Sequence, residues 1–141
     1  MFLGEYQVKF TGRGRIVLPY KFREELTDKV VILTRGFEKC IWGFDLKDFE
    51  GTAKKQLEIP ATEERARYMR RYLFSSSEPV ELDAQGRIII PSALLDFASV
   101  RNEVTVIGAG DHFEIWDTKL WKKHIKEVEV KLGRISQVRS S

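Results

Sequence analysis

The chain has 141 residues, of which 43% are hydrophobic and 32% are charged, and its aromatic residues include nine Phe and three Trp. This length and composition predict one folded domain of ordinary size, or two very small ones that share a core, and they exclude a disordered chain. The 24 basic and 21 acidic residues give a net charge of +3, which favours a polyanionic partner without requiring one.

In chain order, the first half predicts two strands, a short helix and two further strands. Val8 and Phe10 alternate with polar neighbours as in a half-buried strand, and the glycine-rich segment Thr11–Gly14 predicts a hairpin turn. The strand after the turn ends at Pro19, whose fixed φ suits the first position of a helix. The later elements are predicted at 15–18, 30–34 and 39–44 for strands and at 20–26 for the helix.

Two amphipathic helices are predicted between the halves, and Pro60 separates them. Thr62 is the expected N-cap of the second helix, and Ser75–Ser77 is the expected linker to the second half. The apolar positions at helical spacing are Leu46, Phe49, Ala53 and Leu57 in the first helix, and Ala66, Met69 and Leu73 in the second.

The second half repeats the strand and helix order and ends in a third amphipathic helix. Strands are predicted at 104–107 and 113–116, followed by a helix over 118–132. Gly133 is placed to terminate this helix, which leaves 134–141 as a mobile tail. The apolar stripe of the helix, expected to be core or subunit interface, comprises Trp121, Ile125, Val128 and Leu132.

An internal repeat relates the two halves. The segment VKFTGRGRIVLPYKFREEL returns as VELDAQGRIIIPSALLDFA, so that Gly14-Arg15 matches Gly86-Arg87. A two-residue insertion then aligns Ile41-Trp42 with Ile115-Trp116. Because a copy of about forty residues rarely holds a core by itself, the two ββαββ copies are expected to pack on each other as a pseudo-dimer.

Side chains that support catalysis or metal binding are scarce. Cys40 is the single cysteine and lies in an apolar run typical of a buried strand, so neither a disulfide nor a CxxC metal clamp is expected. His112 and His124 lack the spacing of a triad or a metal site. No run reaches the ~18 apolar residues of a spanning helix, and no secretion signal opens the chain. We expect a cytoplasmic protein that is not an enzyme and has no metal, no cofactor, no small-molecule substrate and no membrane partner.

The opening MFLGEYQVKF-TGRGR, the later DAQGRIIIP and the distal FEIW resemble the MraZ family of bacterial regulators, whose chains are tandem copies of an AbrB-like DNA-binding unit. The resemblance covers nearly the whole chain. It implies an α+β fold dominated by a β-barrel, in which two pseudo-symmetric ββαββ repeats form a swapped-hairpin, double-split barrel with flanking amphipathic helices. It also implies ring-shaped homo-oligomers that bind double-stranded DNA at repeated sites upstream of division and cell-wall genes, and hence association with the nucleoid.

On this basis the chain divides into four parts that form one structural unit. We expect the first AbrB-like repeat at 5–49, a helical connector at 50–76, the second AbrB-like repeat at 77–121, and a C-terminal helix and tail at 122–141.

The DxxxR motif of that family is complete only in the second repeat, where Asp83 is expected to cap its own turn and to pair with Arg87. In the first repeat Thr11 replaces the aspartate, and a hydroxyl makes a weaker turn. A role for the aspartate in organising the arginine for binding is the alternative. The residues assigned to turn structure are Thr11, Gly14, Asp83, Gly86 and Arg87.

Charge favours the first repeat as the DNA-binding face. Residues 1–29 carry six basic and four acidic side chains, whereas residues 78–103 carry two basic and five acidic ones. Arginine offers planar forks to base edges, and lysine offers point charges to phosphates. For Lys21 and Arg23, on the predicted short helix, an equal alternative is that they only form a solvated helix surface. The candidate DNA-binding residues are Lys9, Arg13, Arg15, Lys21 and Arg23.

The sequence therefore predicts a sequence-specific DNA-binding transcriptional regulator that uses basic hairpins and several subunits on repeated sites. The alternative is a self-assembling scaffold or protein-interaction module, for which the amphipathic helices and the modest net charge suffice.

Overall fold

A computed structural model describes the backbone of residues 1–140 and the side chains of residues 1–135. Within it, each half follows the predicted ββαββ order. The elements are β1 (Glu5–Gly12), β2 (Arg15–Val17), α1 (Tyr20–Arg23), β3 (Val30–Arg35), β4 (Ile41–Asp45), α2 (Leu46–Glu58), α3 (Glu64–Phe74), β5 (Glu78–Glu81), β6 (Arg87–Ile89), α4 (Ser92–Phe97), β7 (Glu103–Gly108), β8 (Phe113–Asp117) and α5 (Thr118–Ser140). The fold class is α+β, as predicted.

The strands form one antiparallel sheet in the order β5-β3-β4-β8-β7-β1-β2-β6, which curves into a nearly closed barrel because β5 approaches β6. Strand β1 of the first repeat pairs with β7 of the second, from Glu5 opposite Ile107 to Lys9 opposite Glu103. Strand β5 pairs in turn with β3 of the first repeat. Each repeat thus gives its first strand to the other, and the predicted swapped-hairpin barrel with flanking helices is confirmed.

The barrel interior is filled from both repeats. The ring of Phe2 packs edge-to-face against Phe22 at 5.3 Å and against Phe113 at 5.2 Å between centroids. These three side chains are buried, as are Ile16 and Ile88 at the centre of the β2–β6 pair. Burial of each such side chain stabilises the folded state by about 1.5–3 kcal/mol. The repeats therefore share one core, which explains why they form a single unit.

The two repeats correspond differently from the predicted alignment in their second strand pairs. The β3–β4 and β7–β8 ladders both end at an aspartate, Asp45 and Asp117, and the same order of burial runs along β4 and β8. Trp116 thus corresponds to Phe44, so its predicted match with Trp42 is wrong. The second repeat has one residue more before β7 and one fewer in the following turn, and these opposite changes conceal each other in the sequence.

The two corresponding aspartates are buried, at 4% and 6% exposure, and each holds the loop that precedes its strand pair. Asp45 accepts hydrogen bonds from the amide and the hydroxyl of Thr27, at 2.8 and 2.7 Å. Asp117 accepts from the amides of Arg101 and Leu120, at 3.1 and 3.3 Å. The equivalence of these carboxylates was not evident in the sequence, because the misaligned Ile-Trp pairs placed them two residues apart.

The helices differ from the predictions at three ends. Helix α1 ends at Arg23, three residues before the predicted end at 26. Helix α3 begins at Glu64 after Glu63, so the predicted cap at Thr62 is wrong. Helix α5 continues through Gly133 to Ser140, so both the predicted stop and the mobile tail are wrong, and Ser141 lies outside the described residues. Glycine inside a helix costs only about 1 kcal/mol relative to alanine, which the helix tolerates. Within residues 1–140, no helix combines the length and apolar character needed to cross a bilayer.

Candidate nucleic-acid interface

The two hairpin turns lie at opposite ends of a two-stranded ribbon made of β2 and β6. Each turn is held by the other repeat, because the amide of Ile90 donates to Gly14 O at 2.7 Å and the amide of Leu18 donates to Gly86 O at 3.0 Å. Four residues of extended strand place the turns about 13 Å apart. The ribbon and its two turns therefore form one surface, which we call the ribbon face.

The outward side of the ribbon carries the two arginines that the repeat makes equivalent. Arg15 lies opposite Ile89, and Arg87 lies opposite Val17. Both arginines are half-buried, whereas Ile89 is 62% exposed. A two-stranded ribbon fits the DNA major groove, so this surface has the shape and the side chains for a groove contact.

The second-repeat turn is tightly organised around Asp83. Its Oδ1 accepts the amides of Gln85 and Arg87, both at 2.9 Å, and its Oδ2 accepts Nε of Arg87 at 2.6 Å. The guanidinium also donates to Oε1 of Gln85 at 3.1 Å. Hydrogen bonds from the amide and the side chain of Arg87 hold the pKa of Asp83 below its usual value. Gly86 completes the turn at a φ of +75°.

The first-repeat turn lacks this organisation. The hydroxyl of Thr11 donates to Arg15 O at 3.4 Å, and Nη2 of Arg15 reaches Thr11 O at 3.5 Å, so both contacts are long. Nε of Arg15 has no hydrogen-bond partner among the described side chains and backbone. Gly14 adopts a φ of +71°, and Arg13 is exposed near the tip. Because Nε is buried, the donors that Arg15 retains for another molecule are those of its terminal Nη groups.

The five predicted DNA-binding residues do not form one cluster. Arg13 and Arg15 lie in the first-repeat turn, Lys9 lies further back on β1, and Lys21 is exposed on α1. Arg23 extends across the repeat boundary to the second turn.

The contact of Arg23 with the second turn is close. Its guanidinium occupies the space beside Gly86, so that a Cβ there would collide with it. Arg23 also lies 5.3 Å from the ring centroid of Tyr20. In the corresponding place, Leu95 of the second repeat lies beside Gly14. The first repeat thus contributes a cation to the turn of the second, which its position in the sequence does not reveal.

Acidic side chains border the ribbon on its β5 side. A cleft of about 490 Å³ there is lined by Arg15 and Arg87 together with Glu78, Glu81 and Asp83. Negative charge repels phosphates on this side. A polyanion therefore meets a more favourable field on the β1 side of the ribbon.

A second polar group, unrelated to the turns, surrounds His112. The imidazole contacts the ring of Trp42 at 4.3 Å between centroids and bonds to Asp111 at 2.8 Å and to Glu114 at 2.9 Å. Burial alone would lower the pKa of His112, but the bonds and charges of these carboxylates outweigh it and raise the pKa.

Burial raises the pKa of the Cys40 thiol. Among the side chains of residues 1–135, no three metal-ligating groups come together.

Two ββαββ repeats that exchange their first strands around a cation-bearing ribbon define the class of tandem swapped-hairpin barrels. A family model described as "MraZ protein, putative antitoxin-like" matches residues 1–72 and matches again over residues 73–137. The chain belongs to the MraZ family. This family is regulator-like and is not an enzyme family.

Proposed function

We propose that the protein is a sequence-specific DNA-binding transcriptional regulator. The observation that carries the proposal is the outward guanidinium of Arg15 on the ribbon face, whose terminal Nη groups make one long contact, to Thr11 O at 3.5 Å, among the described residues. Its planar fork suits the O6 and N7 acceptors of guanine in the major groove. Membership of the regulator-like family supports the same role.

In this mechanism the two turns have different tasks. Arg15 and Arg13 of the first repeat contact base edges and neighbouring phosphates, and Lys9 and Lys21 supply charge to the backbone. Arg87 stays bonded to Asp83 and keeps the second turn in shape. One ribbon gives modest affinity, so the protein acts as a ring-shaped homo-oligomer whose subunits engage repeated sites on one duplex. The targets lie upstream of division and cell-wall genes, which places the protein on the nucleoid in the cytoplasm.

A self-assembling scaffold is the second candidate, and exposed apolar side chains on the helices favour it. Leu57 and Tyr68 on α2 and α3 are 54% and 56% exposed, and Val130, Leu132 and Ile135 on α5 are exposed as well. Apolar surface of this kind suits contacts between copies or with another protein. A regulator ring needs such contacts too, so binding to DNA decides between the two functions.

The first experiment is a titration of the purified protein against the DNA upstream of its own gene and against a scrambled duplex, over a series of salt concentrations. A regulator prefers its own sequence, and its log K falls by about 0.9 per neutralised phosphate against log salt. A scaffold shows neither the preference nor the slope. Light scattering run alongside should give a mass above the 16.4 kDa of one chain, and a monomer mass would contradict the ring.

Paired variants then test the assignment of the two arginines. Arg15→Ala should weaken operator binding by about 5- to 150-fold per engaged site, the equivalent of about 1–3 kcal/mol, and leave the melting temperature unchanged. Arg87→Ala should lower the melting temperature and weaken binding only as a consequence. If Arg87→Ala abolishes binding at unchanged stability while Arg15→Ala has little effect, the complete DxxxR turn is the DNA reader and the assignment is wrong.

A further inference from the structure

A cleft of about 760 Å³ joins the two repeats beside the ribbon face. Strand β1 of the first repeat contributes Lys9 and Phe10, and the second repeat contributes the α4–β7 loop and the junction of β8 with α5. These segments meet because β1 is exchanged onto β7, with Lys9 opposite Glu103. The cleft is thus a product of the strand exchange, and no single repeat contains it.

Three cations line this cleft, namely Lys9, Arg101 and Lys119. All three are exposed, and none of them forms an ion pair among the side chains that the structure describes. Of the two acids in the cleft, Asp117 is buried and already accepts two backbone amides. Glu103 is the remaining carboxylate, so the basic groups outnumber the available acidic one by three to one.

The corresponding place in the first repeat has a different character. Glu81 of β5 stands where β1 has Lys9, since both lie at the same position of the exchanged ladders. The hydroxyl and amide of Thr27 are bonded to Asp45 there. This position is therefore basic on β1 and acidic on β5, although the two strands occupy equivalent places in the two repeats.

We propose that Lys9, Arg101 and Lys119 bind phosphodiester groups of the DNA backbone, on the flank of the groove that the first-repeat turn enters. Lys9 lies four residues before Arg13, which corresponds to about 13 Å of strand. That separation is within one turn of the duplex, about 34 Å. The inference rests on the proposed function and adds Arg101 and Lys119 of the second repeat to the DNA-binding surface.

The test is the double variant Arg101→Gln/Lys119→Gln, with Lys29→Gln/Lys47→Gln as the matched control. Lys47 lies at the position equivalent to Lys119, and Lys29 lies one residue after the position equivalent to Arg101, so both variants lose two charges from the same loop and the same helix start. Phosphate contacts ignore sequence, so two probes are compared, the DNA upstream of the gene and a scrambled duplex, each of about 30 base pairs or some three helical turns. The dissociation constant is measured over a salt series for each protein.

The cleft variant should reduce the slope of log K against log salt by about 1.8, because each lost contact releases about 0.9 fewer counterions. Counted from 1 M salt, where the contribution of these contacts vanishes, this predicts a loss of affinity of about 60-fold at 0.1 M salt. The control should keep the wild-type slope, and the charge-conserving Arg101→Lys/Lys119→Arg should restore it. Melting temperatures of all variants should agree, since the altered side chains are exposed.

Equal slopes for the cleft variant and the control would overturn the inference, because the effect would then reflect net charge alone. A loss of sequence preference in the cleft variant would also overturn it, since phosphate contacts do not discriminate between bases. If the wild-type protein binds neither duplex at any salt concentration, the proposed function itself fails, and this result is distinct from the other two.

Discussion

Replacing Gly86 by alanine is expected to destabilise the fold and to push Arg23 away from the second turn. Gly86 has a φ of +75°, and the guanidinium of Arg23 fills the space that a Cβ would take. A left-handed backbone costs an L-residue about 1–2 kcal/mol. The lower entropy of the unfolded chain returns about 0.4–1 kcal/mol of this. Crowding adds about 1 kcal/mol, at the low end of overpacking because Arg23 is flexible.

The net loss for Gly86→Ala is then about 2 kcal/mol, which lowers the melting temperature of a domain of this size by about 6 °C. Gly14→Ala is the matched control, because Gly14 has a similar φ of +71° but faces Ile90 O at 3.1 Å and Leu95 Cδ1 at 3.5 Å. Gly14→Ala should lower the free energy of unfolding by about 1 kcal/mol, since no long side chain has to move.

The assay is a double-mutant cycle by urea denaturation, with Arg23→Ala as the second substitution. Arg23→Ala removes the crowded side chain, so it should recover about 1 kcal/mol in the Gly86→Ala background and nothing in the Gly14→Ala background. Additive effects at Gly86, with a coupling energy below about 0.3 kcal/mol, would refute the close packing of Arg23 on the second turn.

Two further results are expected from groups outside the ribbon face. Asp45→Ala and Asp117→Ala should each lower the free energy of unfolding by about 2–3 kcal/mol, because each leaves buried donors unpaired. Asp48 is exposed, so Asp48→Ala should change the free energy of unfolding by less than about 0.5 kcal/mol in the same denaturation assay. Since the carboxylates beside His112 raise its pKa in the folded state, this residue should stabilise the fold fully below pH ~6.5 and lose that contribution as the pH rises through the folded pKa. His112→Gln should therefore flatten the stability profile in that window, and an unchanged profile would contradict the role of the ion pairs.

The repeat and the ββαββ order could be predicted from the sequence, and the exchange of strands could be predicted through the family resemblance. The match of Trp116 with Phe44 could not be predicted, because the residue added before β7 and the residue missing between β7 and β8 cancel each other. The end of α5 was also unpredictable, since Gly133 has the residue type of a cap but lies inside the helix. Local residue preferences identify such ends only when tertiary packing does not override them.

The interface was only partly predictable for a topological reason. The ion pair of Asp83 with Arg87 is local and follows from the spacing of its turn. Arg23 and Arg101, in contrast, acquire their neighbours through the exchange of strands between repeats. Charge counts along the chain assign Arg23 to the surface of its own repeat and leave Arg101 out. In a swapped barrel, proximity in the sequence is a poor guide to which residues are close in space.

The exchange of β1 onto β7 has a consequence for biosynthesis. During translation β1 emerges first, but the partner of its residues Glu5 to Lys9 begins only at Glu103, and the outer edge of β3 stays open until β5 has been made. Contacts between such distant segments form slowly, and open strand edges invite association with other nascent chains. The barrel therefore closes only after most of the polypeptide has been synthesised, and a product that lacks the second repeat leaves each of β1, β2, β3 and β4 without one ladder partner.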